Sequence, residues 1–276
     1  MHILGKREDG YHNLQTLFQF IDYGDTLHFT LRTDDKIHLS TPGLNLPIED
    51  NLIYKVAQQL KNIYHPPTGI DIRLEKKIPM GAGLGGGSSN AATTLLALNY
   101  VWKLNLKGIE LMNLAEPIGA DVPFFVNGYS AWGEGIGTKL TTAHPQEKYV
   151  LVITPPCHIA TAKIFQHSEL TRGTQAFRIE HLKGLLENEL IDSNLKNDFE
   201  PLVRKCYPSV AKCLDWLNQY GNAKLSGSGS SIFALFDTKD EAESVMNQVP
   251  ADFHAVIAKG INKSPTLAQL SNTAFN

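Results

Sequence analysis

Pro79-Met80-Gly81-Ala82-Gly83-Leu84-Gly85-Gly86-Gly87-Ser88-Ser89-Asn90-Ala91-Ala92 is the stretch on which the reading of this chain turns. Five of the seven residues from Gly81 to Gly87 are glycine, so the main chain there is nearly bare and its N–H groups can approach a ligand closely. Ser88, Ser89 or Asn90 is then placed to cap a following helix. A helix N-terminus offers free N–H donors and a partial positive charge, which suits phosphate. The segment reads as a loop that grips phosphate groups.

Other readings of the same residues compete. Gly81-x-Gly83-x-x-Gly86 has the form of the dinucleotide fingerprint. That fingerprint opens a βαβ unit with an acid at the end of the next strand, and here the next acid, Glu110, falls in a helical pattern. A Walker A loop needs lysine after its last glycine, and this chain has Gly87-Ser88-Ser89. A flexible loop without a ligand is opposed by the entropy that so many glycines lose on folding.

Outward from the loop, Leu27–Leu31 and Ile70–Leu74 have strand length and pattern. Between them, Asp50 or Asn51 caps a helix with Leu52, Ile53, Val56, Leu60 and Ile63 on one face, stopped by Pro66-Pro67. Helices are expected over Asn90–Leu104 and Gly108–Ala115, and a buried strand over Lys148–Thr154. Further on, Ser209–Tyr220 and Thr238–Gln248 read as helices, Ala223–Phe236 as two strand pieces, and His254–Ala258 as a strand. The sum is α+β, with two domains meeting near Glu147.

Composition agrees with a globular chain: 276 residues, 42% hydrophobic and 19% charged. A net charge of −3 without long single-sign runs argues against a nucleic-acid partner. Cys157, Cys206 and Cys213 form no CxxC pair, which fits a reducing cytoplasm. No His/Cys cluster suggests a metal site, and no apolar run has membrane-spanning length. The charged run Gly5-Lys6-Arg7-Glu8-Asp9 speaks against a signal peptide. Oligomeric state is not legible.

PMGAGLGGGSSNAA resembles the second motif of the GHMP kinase superfamily, whose members wrap this loop around the ATP phosphates. The longer match is similar to the branch acting on a cytidyl diphosphate sugar alcohol in non-mevalonate isoprenoid synthesis. The resemblance implies ATP contacts from Pro79 through Ser89, with magnesium arriving on the nucleotide. Asp121, in Gly119-Ala120-Asp121-Val122-Pro123, would by itself be read as a cap or turn residue; the family motif makes it the catalytic aspartate that accepts or orients the hydroxyl proton.

Asp9-Gly10-Tyr11-His12, with Leu14 and Thr16, resembles the family's DGYHxLxT segment. Without it Tyr11 and His12 are ordinary sheet residues; with it the tyrosine stacks on cytosine and the histidine reads the base edge. Phe165 matches the position closing the base sandwich, beside its reading as a core residue. Lys224-Leu225-Ser226-Gly227-Ser228-Gly229-Ser230-Ser231 resembles the third motif, which places Gly227 and Gly229 near substrate phosphates; alone it could be a bulged strand. Lys259–Pro265 is similar to the C-terminal signature.

The fold this implies is the α+β two-domain GHMP kinase fold. A ribosomal-protein-S5-domain-2-like ATP domain would span 1–147 and a ferredoxin-like domain 148–276, with substrate in the cleft between them. The family's first motif, of type PAKxNLxL, supplies a lysine ahead of the DGYH segment. Met1-His2-Ile3-Leu4 matches the end of that strand, so either the start is misassigned or the chain lacks that lysine and a strand. Three alternatives follow: another GHMP small-molecule kinase, a nucleotide-binding form impaired in transfer, and an NAD-dependent oxidoreductase.

Overall fold

A computed structural model describes residues 1–177 and 195–273. The chain forms two compact units, neither continuous in sequence. The first unit comprises Met1–Tyr23, Pro79–Leu84 and Tyr129–Asn262, and the second Gly24–Ile78, Gly85–Gly128 and Lys263–Asn276. Glu147, where a single crossing was expected, lies within the first unit.

In the second unit, strand β6 (Ile70–Glu75) lies between antiparallel β4 (Thr26–Leu31) and parallel β5 (Ile37–Ser40). Its buried Ile70, Ile72 and Leu74 alternate with Asp71, Arg73 and Glu75, the period of a strand with one covered face. Helix α1 (Leu52–Tyr64) starts where the Asn51 side chain accepts the Ile53 N–H at 3.0 Å. Ile53, Val56, Ala57 and Leu60 form its buried stripe. Ile63, expected on that stripe, is 49% exposed, because at 100° per residue it falls on the rim. The helix ends at His65 in the left-handed region, before the two prolines.

Helix α2 (Gly86–Val101) packs against α1 and against α4 (Val122–Asn127), which also meets α3 (Gly108–Ala115). Ala91, Ala92, Leu95 and Leu98 of α2 join the α1 stripe and the β6 alternates in one core. The helix begins four residues before the expected Asn90, since Gly85 rather than a side-chain cap precedes it. It stops at Trp102, short of Leu104, where Lys103 and Asn105 take positive φ.

Two sheets build the first unit. One has the antiparallel order β1 (His2–Lys6), β2 (His12–Phe18), β7 (Ala131–Gly135), β8 (Lys139–Thr142). Strand β1 runs through the expected turn residues Gly5 and Lys6 by a shift in register between Ile3 and Gly5. The other has the order β10 (Lys224–Leu225), β11 (Ile232–Phe236), β9 (Tyr149–Thr154), β12 (His254–Ile261), β3 (Phe20–Ile21). Central β9 buries Val150, Leu151, Val152 and Ile153 in succession, the pattern of a strand covered on both faces. Leu151 and Ile153 join a core with Val210, Cys213, Leu214 and Leu217. Burial in that core pushes the Cys213 thiol up to about 12.

A buried ion pair ties the second unit's sheet to its longest helix. Asp25 sits just before β4, its side chain 1% exposed. It accepts from Lys76 Nζ and Asn90 Nδ2, each at 2.8 Å, and from the Lys77 and Ile78 N–H groups at 2.7 and 2.8 Å. Lys76 also donates to the Ile78 carbonyl. Burial would raise the Asp25 carboxyl, but these hydrogen bonds outweigh it and hold the group below the usual carboxylate range. Asp25→Ala leaves Lys76 without its partner and is expected to cost about 3 kcal/mol of local stability, read as faster amide exchange in α1 and α2. Because the folded-state pKa is depressed, the Asp25 contribution is complete above the ordinary carboxylate pKa and disappears as pH falls through the folded value. An exchange difference from Asp25→Asn that does not shrink with acid would refute this sign.

Candidate functional site

The first half of the glycine loop, Pro79–Leu84, belongs to the first unit. Gly81, Gly83 and Gly85 have φ of +65°, +73° and +68°, with Ala82 and Leu84 outside the positive region. Alternating the sign of φ turns successive N–H groups toward one concave side, a geometry that receives an anion. The loop also runs against another main chain, since a Cβ on Gly83 would lie 2.2 Å from the Ser226 carbonyl oxygen.

That neighbour is the Ser226–Ser231 turn joining β10 to β11. Ser226 Oγ donates to the Gly83 carbonyl at 2.8 Å, and the Ser231 N–H donates to the Ala82 carbonyl at 2.9 Å. The turn closes on itself through Gly229 N–H to Ser226 C=O and Ser226 N–H to Ser231 C=O. Asn197 Nδ2 donates to the Leu225 and Gly227 carbonyls, both at 2.8 Å. The Ser228 hydroxyl meets that of Thr161 at 2.7 Å. Gly227 and Gly229 both adopt positive φ, which explains why glycine punctuates this turn.

The second half of the loop opens α2 within the second unit. No side chain caps this helix: Gly85 is the N-cap, and the Ser89 N–H donates to its carbonyl at 2.8 Å. Ser88 and Ser89, expected as caps, lie within the first turn, and the Asn90 amide is committed to Asp25. Glycines at 85, 86 and 87 let the helix start bare, leaving its first-turn N–H groups to whatever anion arrives. A Cβ on Gly85 would lie 2.7 Å from Phe125 of α4, so this end of α2 is fitted closely to that helix.

Asp121 is the residue immediately before α4, with Pro123 in the first turn. It stands at the cap position, yet its side chain makes no capping hydrogen bond. The bland role of an aspartate at a helix start is therefore not the one it fills. Its surface is open, but enough protein surrounds the carboxyl to thin its hydration and raise its pKa. An exposed carboxylate with a raised pKa is suited to taking a proton.

The Asp9-Gly10 turn sets up the third feature. Asp9 Oδ1 accepts the Tyr11 N–H at 3.0 Å, and Gly10 takes φ +88°. Tyr11 emerges 58% exposed, whereas His12, the first residue of β2, is buried. Phe165, on α5 (Thr161–Gln166), stacks on His12 with centroids 5.0 Å apart and planes at 28°. Phe165 also meets Phe199 edge-on at 4.8 Å, so one ring both lines this pair and packs on the core. Burial, Arg172 and Lys6 together lower the His12 pKa, keeping the imidazole neutral near pH 7.

The structure brings His12 to Phe165, and Gly227 to Gly83, within the first unit; Asp121 belongs to the second. Sequence reading missed Asp25, Asn197 and Arg172. Each acts on main-chain groups or on a partner remote in sequence, and no motif flags them. Among the described residues, no group of three or more His, Cys, Asp or Glu could hold a metal, and no helix is long and apolar enough to cross a membrane.

Comparison with known proteins follows the same lines. Residues 51–129 match the family model for the GHMP kinases N terminal domain, and residues 182–255 the model for GHMP kinases C terminal. A 4-diphosphocytidyl-2-C-methyl-D-erythritol kinase of Marinobacter nauticus is 45% identical over 273 residues, covering 98% of this chain and 93% of the relative. One of Tolumonas auensis is 44% identical over 267 residues, covering 96% and 90%. A crystal structure of 4-(cytidine 5'-diphospho)-2C-methyl-D-erythritol kinase superposes with a TM-score of 0.79 at 29% identity, covering 94% of each chain. The architecture is thus the two-domain α+β fold of these kinases, and the dinucleotide reading of the loop falls away. With a match of this depth along nearly its whole length, the chain belongs to the 4-diphosphocytidyl-2-C-methyl-D-erythritol kinase family of the GHMP kinases.

Proposed function

We propose that this chain transfers the γ-phosphoryl group of ATP to the 2-hydroxyl of 4-diphosphocytidyl-2-C-methyl-D-erythritol, a step in the cytoplasmic supply of isoprenoid precursors. The observation that carries this reading is the bare loop from Gly81 to Gly87 leading into an α2 that no side chain caps. A triphosphate needs many fixed donors and no intruding side chains, and this backbone offers both. The Pro79–Ser89 stretch holds the phosphates in this reading, and magnesium enters on the nucleotide, neutralising charge on the transferring group.

Asp121 is the base. Its carboxylate takes the hydroxyl proton as the substrate oxygen bonds to the γ-phosphorus; the bond to the β,γ-bridging oxygen breaks, and ADP leaves with that electron pair. Tyr11 offers an exposed aromatic face for the cytosine ring, with His12 and Phe165 beside it. Gly227 and Gly229 leave the main chain bare for the substrate phosphates. Residues 1–147 then carry the ATP loop and the base, and 148–276 carry Phe165 and the Ser226–Ser231 turn.

Asp121→Asn is expected to lower kcat by on the order of 10³ while ATP still binds, as measured by calorimetry. Only the ionised carboxylate can take a proton, and the thinned hydration around it raises its pKa. The acid limb of kcat/KM should therefore lie above the ordinary carboxylate range, with activity lost as pH falls through it. An unaffected kcat in Asp121→Asn removes this residue from the chemistry.

CMP and CDP are expected to compete with the alcohol substrate and not with ATP. Replacing Tyr11 by Ala should cost about 1–3 kcal/mol of base stacking, seen as a higher KM for that substrate alone. Indifference of turnover to cytidine nucleotides would transfer the chain to a different alcohol within the same superfamily.

A further inference from the structure

Arg172 falls in none of the motifs quoted from the sequence, yet its guanidinium is the hub of the His12–Phe165 pair. Its Nη2 donates to the Phe165 and His167 carbonyls at 2.8 and 3.0 Å, and its Nη1 to the Leu170 carbonyl at 3.3 Å. These carbonyls surround the C-terminal end of α5, where a helix has acceptors to spare. Main-chain geometry therefore fixes the guanidinium independently of His12. The remaining Nε–H points at His12 Nε2, 3.2 Å away.

A guanidinium has five N–H donors, no acceptor and a permanent charge. The His12 nitrogen facing it must therefore carry the lone pair, which puts the ring proton on Nδ1. That is the tautomer a solvated histidine side chain favours less, so the arginine selects it. The positive charges that face the ring, Arg172 and Lys6, together with burial, keep a second proton off.

We propose that Arg172 is a positioning residue for base recognition: it clamps His12 to the end of α5, so that His12 offers a single fixed donor, Nδ1–H, beside the Phe165 ring. The proposal rests on the reading of His12 and Phe165 as part of the cytidyl subsite. A fixed donor complements an acceptor on the base edge. Directed at N3, that donor meets a lone pair in cytosine but an opposing N3–H in uracil, whereas O2 accepts in both bases. The clamp thereby favours cytosine over uracil at a subsite where stacking alone accepts either ring.

The test starts with ¹⁵N–¹H NMR of the full chain, with His12 assigned by its loss in His12→Gln. The expected signature at neutral pH is protonated Nδ1 and unprotonated Nε2; finding the proton on Nε2 overturns the clamp without any variant of Arg172. In Arg172→Met the tautomer should shift toward Nε2–H. The KM for the cytidyl substrate should rise about fivefold, the size of one lost hydrogen bond between neutral groups, with KM for ATP unchanged. The preference for CMP over UMP as competitor should narrow, and Arg172→Lys should recover part of it; melting curves establish that both variants are folded. An unchanged KM for the cytidyl substrate in Arg172→Met overturns the proposal. If His12→Ala also leaves that KM unchanged, the subsite reading fails as well; if His12→Ala raises it while Arg172→Met does not, Arg172 alone is excluded.

Discussion

The contact between the Gly83 main chain and the Ser226 turn is the constraint on which the candidate site depends. A loop that must turn its N–H groups to an anion cannot hold itself in place with side chains of its own. Ordering such residues costs roughly 1–2 kcal/mol each in backbone entropy, and more for glycine. Neighbours therefore fix it by its carbonyls: Ser226 Oγ on Gly83 and the Ser231 N–H on Ala82. The clearance is that of two backbones in contact, since any Cβ on Gly83 would lie 2.2 Å from the Ser226 oxygen. The two glycine-rich motifs thus meet backbone to backbone at Gly83 and Gly227, where neither leaves room for a side chain on the other.

The same logic operates just before the loop. Asp25 holds the Lys77 and Ile78 N–H groups, and Asn90 of α2, with a single carboxylate. It fixes both the chain leading into the loop and the helix leading out. Rigidity is imported from outside the loop, which leaves the loop's own donors uncommitted. Asn197 repeats the device one layer further out, holding the Leu225 and Gly227 carbonyls of the turn that in turn holds Gly83.

Elements with strong local signals were legible. Helix α3 spans Gly108–Ala115 as its pattern predicts, and the stripe at Ile53, Val56 and Leu60 and the buried run of β9 follow from periodicity alone. The start of α2 was misread because Ser88, Ser89 and Asn90 look like caps. A helix that begins bare has no cap to find, and its glycines signal a loop. The interleaving of the two units was not legible, because periodicity describes a segment and not its partners. Asp121, Tyr11 and His12 are candidates to which motifs point. No motif points to Asp25, Asn197 or Arg172, since an arginine 160 residues from its histidine leaves no local pattern.

That division has a chemical reason. Stacking on a tyrosine is tolerant of which base arrives, because every base has a π-face. Discrimination has to come from the edge, and an edge can be read only by a group whose donor and acceptor roles are fixed in advance. Imidazole is ambiguous in that respect: either nitrogen can carry the proton. In the proposed subsite, His12 can read one edge only when something decides its tautomer, and a partner that can only donate does so without itself being ambiguous. The residues that a motif captures here are those proposed to meet a ligand. The residues that give them a single chemical identity lie behind, where the sequence spacing is free and only the folded chain reveals the pairing.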